Sequence, residues 1–187
     1  MNSFTSNKFD MKRFTETAAG LAVDADGRLY SPEVRRLTDE HLPSTARPIA
    51  EALSALGVAA RLLHLSMERW AEKHGLSEGR LAVLFRLRHQ PEGVPLGELA
   101  ASLHVSPRNV TGLIDHLERD GLVVRVADPS DRRSVLARLT DRGRARLDDL
   151  WQGAIEVQSR CVQDLSSEEL AQLRHLCLRL VQNLKSQ

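Results

Sequence analysis

The sequence predicts a mainly α chain with a small β-hairpin wing: a winged helix-turn-helix module flanked by N- and C-terminal helices. Three observations predict it. Two short apolar helices, from Leu96 and from Pro107, are separated by the turn His104-Val105. A β-branched hairpin whose tip carries arginines follows the second helix at once. Heptad-like apolar seams stand at both ends of the chain. With 187 residues and 42% hydrophobic content, the chain has enough apolar surface for a folded core, which excludes disorder throughout.

Residues 1–46 read as an extension. Asp24-Ala25-Asp26-Gly27 is a turn signal, and Ser31-Pro32-Glu33 opens a short helix that must stop before Pro43. Asp24 and Asp26 fall short of a calcium loop, because the glycine comes two positions too early. Three of the four phenylalanines, Phe4, Phe9 and Phe14, lie here; they either pack against the folded part or belong to a tail. From about Pro48 to His74, Ile49, Leu53, Leu56, Ala60, Leu63, Met67 and Trp70 alternate spacings of four and three, forming one apolar seam closed by Gly75. Ser77 caps a helix through Leu81, Leu84 and Phe85 that ends near His89, ahead of Pro91-Glu92-Gly93.

The segment Leu96 to Leu117 has the features of a helix-turn-helix. So few residues between two helices force a steep crossing, and Leu99, Ala100, Leu103, Val105, Val110, Leu113 or Ile114, and Leu117 can lock it. Ser106 is an N-cap and Pro107 occupies the first helical position. With Val110, Ile114 and Leu117 inward, Arg108, Asn109, Thr111, Gly112, Asp115 and His116 turn outward. Arg108 suits guanine edges or a phosphate, Asn109 suits adenine edges, and the helix start at Ser106 suits a phosphate. An ordinary helix pair with a polar surface would show the same pattern up to this point.

The hairpin argues against that alternative. After Gly121, Leu122 to Ala127 is a strand, Asp128-Pro129-Ser130-Asp131 a turn, and Ser134 to Thr140 the returning strand, with Val135, Ala137 and Leu139 on one face. Its tip carries Asp131, Arg132 and Arg133, and guanidinium groups on a narrow ribbon suit a minor groove. Net charge is only +1, yet Arg119 to Arg146 holds eight arginines against four acids, the local basic patch expected of a phosphate-binding surface. Beyond it, a helix from about Thr140 to Leu165 carries Leu147, Leu150, Ala154, Val157, Cys161 and Leu165 on one stripe. A last helix opens at the capping box Ser166-Ser167-Glu168-Glu169 and presents Leu170, Leu173, Cys177, Leu180 and Leu184.

These residues resemble the MarR family of bacterial regulators over about residues 48–184. The most specific match runs from Gly121-Leu122-Val123 through Asp128-Pro129-Ser130-Asp131-Arg132-Arg133-Ser134 to Leu139-Thr140-Asp141-Arg142-Gly143; Leu99-Ala100, Val105-Ser106 and Leu117-Glu118 also match. The resemblance implies that Arg133 enters the minor groove and that Asp131 holds the wing arginine. It implies a homodimer, with residues 47–76 and 141–187 as a helical dimerisation region flanking a DNA-binding domain at 77–140. Ile49, Leu53, Leu56, Leu170, Leu173, Cys177 and Leu180 would then line the seam between two copies. Periodicity alone shows only apolar stripes, which an intramolecular core would also bury.

The resemblance further implies a repressor that binds double-stranded DNA and is released by a small-molecule effector. The family's hydroperoxide-sensing branch has its cysteine near the start of the first dimerisation helix, where this chain has none. Its urate-responsive branch has a recognition-helix arginine at the position of Leu113 and an N-terminal tryptophan missing here. Cys161 and Cys177 lie on apolar stripes and read as small buried hydrophobes. The seven histidines are scattered, so no metal and no cofactor are expected. Walker, Gly-x-Ser-x-Gly, His-Glu-x-x-His and dinucleotide motifs are missing, so an enzyme is not expected. The competing reading, a winged helix that contacts protein, leaves Arg132 and Arg133 without a required anion. No apolar run approaches the ~18 to 20 residues of a membrane span, no signal peptide opens the chain, and two cysteines fit a reducing compartment. A cytoplasmic location is expected.

Overall fold

The computed structural model describes residues 20–131 and 134–186. The expectations for Phe4, Phe9 and Phe14, and for Arg132 and Arg133, lie outside the described residues. Two compact units divide the chain at Ser66 and Met67.

In the first unit, Ala22–Val23 (β1) and Leu29–Tyr30 (β2) form an antiparallel hairpin around the turn at Asp24. One carboxylate oxygen of Asp24 accepts the backbone N–H of Asp26 at 3.0 Å and of Arg28 at 2.9 Å. Two-residue strands leave no alternation to read, so the sequence showed only the turn. Pro32–His41 (α1) starts at the predicted cap, Ser31, whose hydroxyl accepts the Val34 N–H at 3.3 Å. Arg35 stacks on the Tyr30 ring at 3.6 Å and pairs with Glu51 at 3.2 Å, while Arg47 pairs with Asp39 at 2.8 Å. These contacts fasten α1 to the start of Arg47–Lys73 (α2).

Along α2 the predicted seam is present, but one chain does not cover it. Ile49, Leu53, Leu56 and Leu63 are exposed, Met67 and Trp70 half-buried, and only Ala71 is buried. By length and composition alone, α2 is also long and apolar enough to cross a membrane, which corrects the expectation that no apolar stretch approaches that length. Glu51, Ser54 and Arg61 break the run, yet they are too few among alanines and leucines to lower the average. A seam helix that packs against other helices has the same composition.

The second unit is built around the predicted module. Its elements are Glu78–Leu87 (α3), Val94–Pro95 (β3), Leu96–Ser102 (α4), Pro107–Arg119 (α5), Val123–Ala127 (β4), Val135–Leu139 (β5), Asp141–Cys161 (α6) and Ser167–Lys185 (α7). The hairpin is two strands of a three-stranded antiparallel sheet in the order β3-β5-β4, with Val94 opposite Ala137 and Val123 opposite Leu139. β3 is too short for its pairing to show in sequence. On β5, Ala137 and Leu139 are buried as predicted, but Val135 is exposed and Leu136 buried instead, because the strand leaves the core as it approaches the wing tip.

Leu81, Leu84, Leu87, Leu99, Val110, Ile114, Leu117, Val123, Ala137, Leu139, Leu147 and Leu150 form one core. Burying each leucine, isoleucine or valine of this set contributes about 1.5–3 kcal/mol. At its edge α6 meets the start of β4: Thr140 donates to the Gly121 carbonyl at 2.7 Å and accepts the Gly143 N–H at 2.9 Å. Gly143 lies so close to the Leu122 carbonyl that a Cβ there would overlap it, at 1.9 Å.

α6 ends at Cys161, four residues short of the predicted Leu165. Its stripe is buried at Leu147, Leu150, Ala154 and Val157 and then runs out, leaving Cys161 and Leu165 exposed. Cys177 is half-buried. The expectation of two buried cysteines is therefore corrected for the single chain: periodicity marks a stripe but not where its cover stops. In α7 the capping box forms as predicted, and no residue of the helix is buried. Leu170, Leu173 and Leu184 are exposed and Leu180 half-buried.

Candidate nucleic-acid interface

The turn between α4 and α5 is closed by Val105 N–H donating to the Ala100 carbonyl at 3.1 Å. Its middle residue, His104, has φ 53°, a left-handed conformation that glycine adopts more easily. Ser106 caps α5 by accepting the Asn109 N–H at 3.2 Å, as the sequence predicts. Val110, Ile114 and Leu117 are fully buried, which rolls the opposite face outward. Arg108, Asn109, Thr111, Asp115 and His116 are exposed along it, with Ser106 and Pro107 exposed at its start and Gly112 half-buried. The Thr111 hydroxyl donates back to the Pro107 carbonyl at 3.0 Å. Beside this face lies an open cleft of about 430 Å³ lined by Ser77 and Arg80 of the α3 start and by Asn109, Gly112, Leu113 and His116.

The electrostatics of α5 are unequal along its length. Its first turn holds no acid and one arginine, so nothing on the helix neutralises the positive end of the dipole. An anion that approaches Ser106 meets the positive end of the helix dipole and the Arg108 guanidinium together. Acids gather at the other end, as Asp115, Glu118 and Asp120. Asp120 pairs with Arg80 at 3.3 Å. Asp115 pairs with Arg125 of β4 at 2.5 Å, and Glu118 pairs with the same guanidinium. The Arg125 backbone N–H donates to Glu118 at 3.0 Å, and this bond with the guanidinium contact holds the Glu118 carboxyl below the usual carboxylate range. Burial opposes the Arg125 charge, but the carboxylates of Asp115 and Glu118 outweigh it and raise its pKa above the ordinary guanidinium value.

Sequence reasoning missed the roles of Arg80 and Arg125. Only the steep crossing of α3, α5 and the sheet brings them to their acids, and no regular spacing announces partners seven, ten and forty positions apart.

At the wing tip, the predicted turn is organised by Asp128. Its carboxylate accepts the Ser130 hydroxyl at 2.7 Å, the Ser130 N–H at 2.8 Å and the Asp131 N–H at 3.3 Å, and these bonds hold its carboxyl below the usual range. Ser134 N–H donates to the Asp131 carbonyl at 2.9 Å, which closes the ribbon from the other side. The hold of Asp131 on Arg133 involves a residue outside those described. Of the seam residues, Ile49, Leu53, Leu56, Leu170 and Leu173 are exposed in the single chain, with Cys177 and Leu180 half-buried.

A helix-turn-helix whose second helix has an acid-free, outward-facing start, followed by a sheet-backed wing, defines a DNA-binding protein of the winged-helix class. A sequence model of the MarR family matches residues 76–135. The transcriptional activatory protein BadR of Rhodopseudomonas palustris (strain ATCC BAA-98 / CGA009) is 36% identical over 67% of this chain and 74% of its own length. The HTH-type transcriptional repressor YetL of Bacillus subtilis (strain 168) is 32% identical over 75% of this chain and 86% of its own. Among solved structures, CouR from Rhodococcus jostii RHA1 bound to p-coumaroyl-CoA superposes with a TM-score of 0.64 at 28% identity, covering 70% of this chain and 91% of that one. The chain belongs to the MarR family and is a DNA-binding transcriptional regulator, not an enzyme.

Proposed function

We propose that this regulator binds a pseudo-palindromic operator as a homodimer in the cytoplasm, acts as a repressor, and is released by a small-molecule effector. The exposed, acid-free start of α5 carries the reading: Ser106, Pro107, Arg108 and Asn109 place the positive end of the helix dipole, a cation and an amide on one solvent face. Laid in the major groove, Asn109 and Arg108 read base edges, Ser106 and Thr111 contact the backbone, and His116 lies further along the groove. Arg132 and Arg133 follow the minor groove, with Asp131 steadying the tip.

Residues 77–140 form the DNA-binding domain, 47–76 and 141–187 the dimerisation region, and 1–46 an extension. The exposed seam residues, Ile49, Leu53, Leu56, Leu170 and Leu173, with the half-buried Cys177 and Leu180, support burial against a second copy, since a folded chain rarely leaves this much apolar helix surface in water. Two-fold symmetry then sets half-sites about 10 bp apart. A ligand that favours one spacing of the two modules by about 1–3 kcal/mol shifts occupancy usefully.

Selection of bound sequences from a random duplex pool tests the reading. Enrichment of an inverted repeat with half-sites one turn apart is the expected result; recovery of no motif counts against it. On the enriched duplex, Arg133→Ala should lose most specific binding while circular dichroism remains that of the folded protein. Wild-type affinity in that variant removes the wing from the interface. A promoter reporter settles the sign of regulation.

A further inference from the structure

A helix lying between two phosphate chains is poorly served by carboxylates, yet α5 and its C-cap carry three acids, Asp115, Glu118 and Asp120, against two arginines, Arg108 and Arg119. Acids at the C-terminal end of a helix are also opposed by its dipole. Their placement needs a physical reason, and the reason lies in what they hold.

Arg125 meets α5 at four points spread over two turns. Its guanidinium donates to the Glu118 carboxylate, to Asp115 at 2.5 Å and to the Thr111 carbonyl at 3.4 Å, and its backbone N–H donates to the other Glu118 oxygen at 3.0 Å. β4 lies at the edge of the sheet, and β5 is its one strand neighbour among the described residues. Glu118 therefore occupies a main-chain donor that an edge strand would otherwise leave to solvent. A planar guanidinium gripped by two carboxylates and a carbonyl has its orientation set, which a flexible ammonium could not reproduce. Its side chain is only 25% exposed, so salt screens it less than an open surface pair.

We propose that Arg125 is a positioning residue for DNA recognition: it latches the first wing strand to the DNA-reading helix and cancels two carboxylates beside the reading face. The inference rests on the DNA-binding reading of the same surface. Sequence-specific binding requires the helix and the wing tip to engage their grooves together, and a fixed spacing spares the cost of ordering one after the other has docked. Non-specific binding asks only for charge near phosphates. Asp115 and Glu118 in turn keep the Arg125 cation inside the protein, where it adds nothing to indiscriminate phosphate contact.

The test uses the full chain, the duplex enriched from a random pool, and a scrambled duplex of equal length, each titrated over a range of salt. R125Q should lose about tenfold or more on the enriched duplex and less than about threefold on the scrambled one, which shrinks the specificity ratio. R125K should restore binding to the scrambled duplex but not to the enriched one, since it returns the charge without the fork. The double variant D115N/E118Q, which frees the cation, should bind the scrambled duplex more tightly and steepen its log-log salt slope by about 0.9, one added phosphate contact. Equal loss on both duplexes in R125Q, full rescue by R125K, or an unchanged salt slope in the double variant would overturn the latch. Should R125Q fail to fold, R125K and the double variant decide it alone. If the wild-type protein enriches no duplex, the DNA reading falls first and the latch with it, a result distinct from the variant outcomes.

Discussion

At Asn109 and His104, five positions of backbone separate a residue placed for reading from one placed at a cost. Asn109 gives its N–H to the Ser106 cap and leaves its side-chain amide exposed. Asn109→Ala should relax base preference at one operator position, at about 1–3 kcal/mol, seen as a flattened column in a repeated selection. His104 sits in the left-handed region at φ 53°, which costs a non-glycine residue about 1–2 kcal/mol. His104→Gly removes that strain but adds freedom to the unfolded chain, so a net gain of about 0.5–1 kcal/mol is expected in chemical denaturation. A loss would mean that the imidazole makes a contact worth more than the strain. Neither side chain's effect follows from residue type alone: both depend on a helix crossing that the flanking leucines enforce.

Among elements, the capping box of α7 shows how a local signal becomes a pH-dependent one. Glu169 accepts the Ser166 hydroxyl at 2.7 Å and its N–H at 2.8 Å, and these bonds, the hydroxyl first, hold its carboxyl below the ordinary range. A depressed carboxylate stabilises fully above its unfolded value, about 4.3, and the stabilisation is lost as pH falls through the lower folded value. Glu169→Ala should therefore melt below the wild type at neutral pH, with the gap closing under acid conditions; a gap constant with pH would show that the ionised carboxylate is not what matters. The capping box, the Ser31, Ser77 and Ser106 caps and the wing turn were all legible in sequence, because each is made by residues within four positions of one another. β3 and the β1–β2 hairpin were not, because two-residue strands take their pairing from the rest of the fold.

For the whole molecule, the largest consequence lies in apolar surface that one chain does not bury. α7 has no buried residue and α2 only Ala71, yet both present regular leucine stripes. The double substitution Leu53→Glu/Leu173→Glu should give a monomer in sedimentation velocity and weaken binding to the enriched duplex, because half the operator contacts are lost with the partner. A dimer that survives both changes would place the seam elsewhere. The expectation of buried cysteines failed at this scale for a related reason: a stripe of constant period runs on past Val157, the last buried residue of α6.

By itself, the sequence determined the helices, the helix-turn-helix, the wing and the outward face of Ser106 to His116, since periodicity, caps and turns act over a few residues and need no distant partner. The tertiary structure decided the third strand, the clearance that only Gly143 allows, the exposure of Cys161, and above all the pairing of Arg125 with Asp115 and Glu118. A sequence lists these charges without saying which will meet. Only the crossing of helix and sheet brings them within hydrogen-bonding distance, and there the geometry of the guanidinium, not its place in the chain, selects the partners.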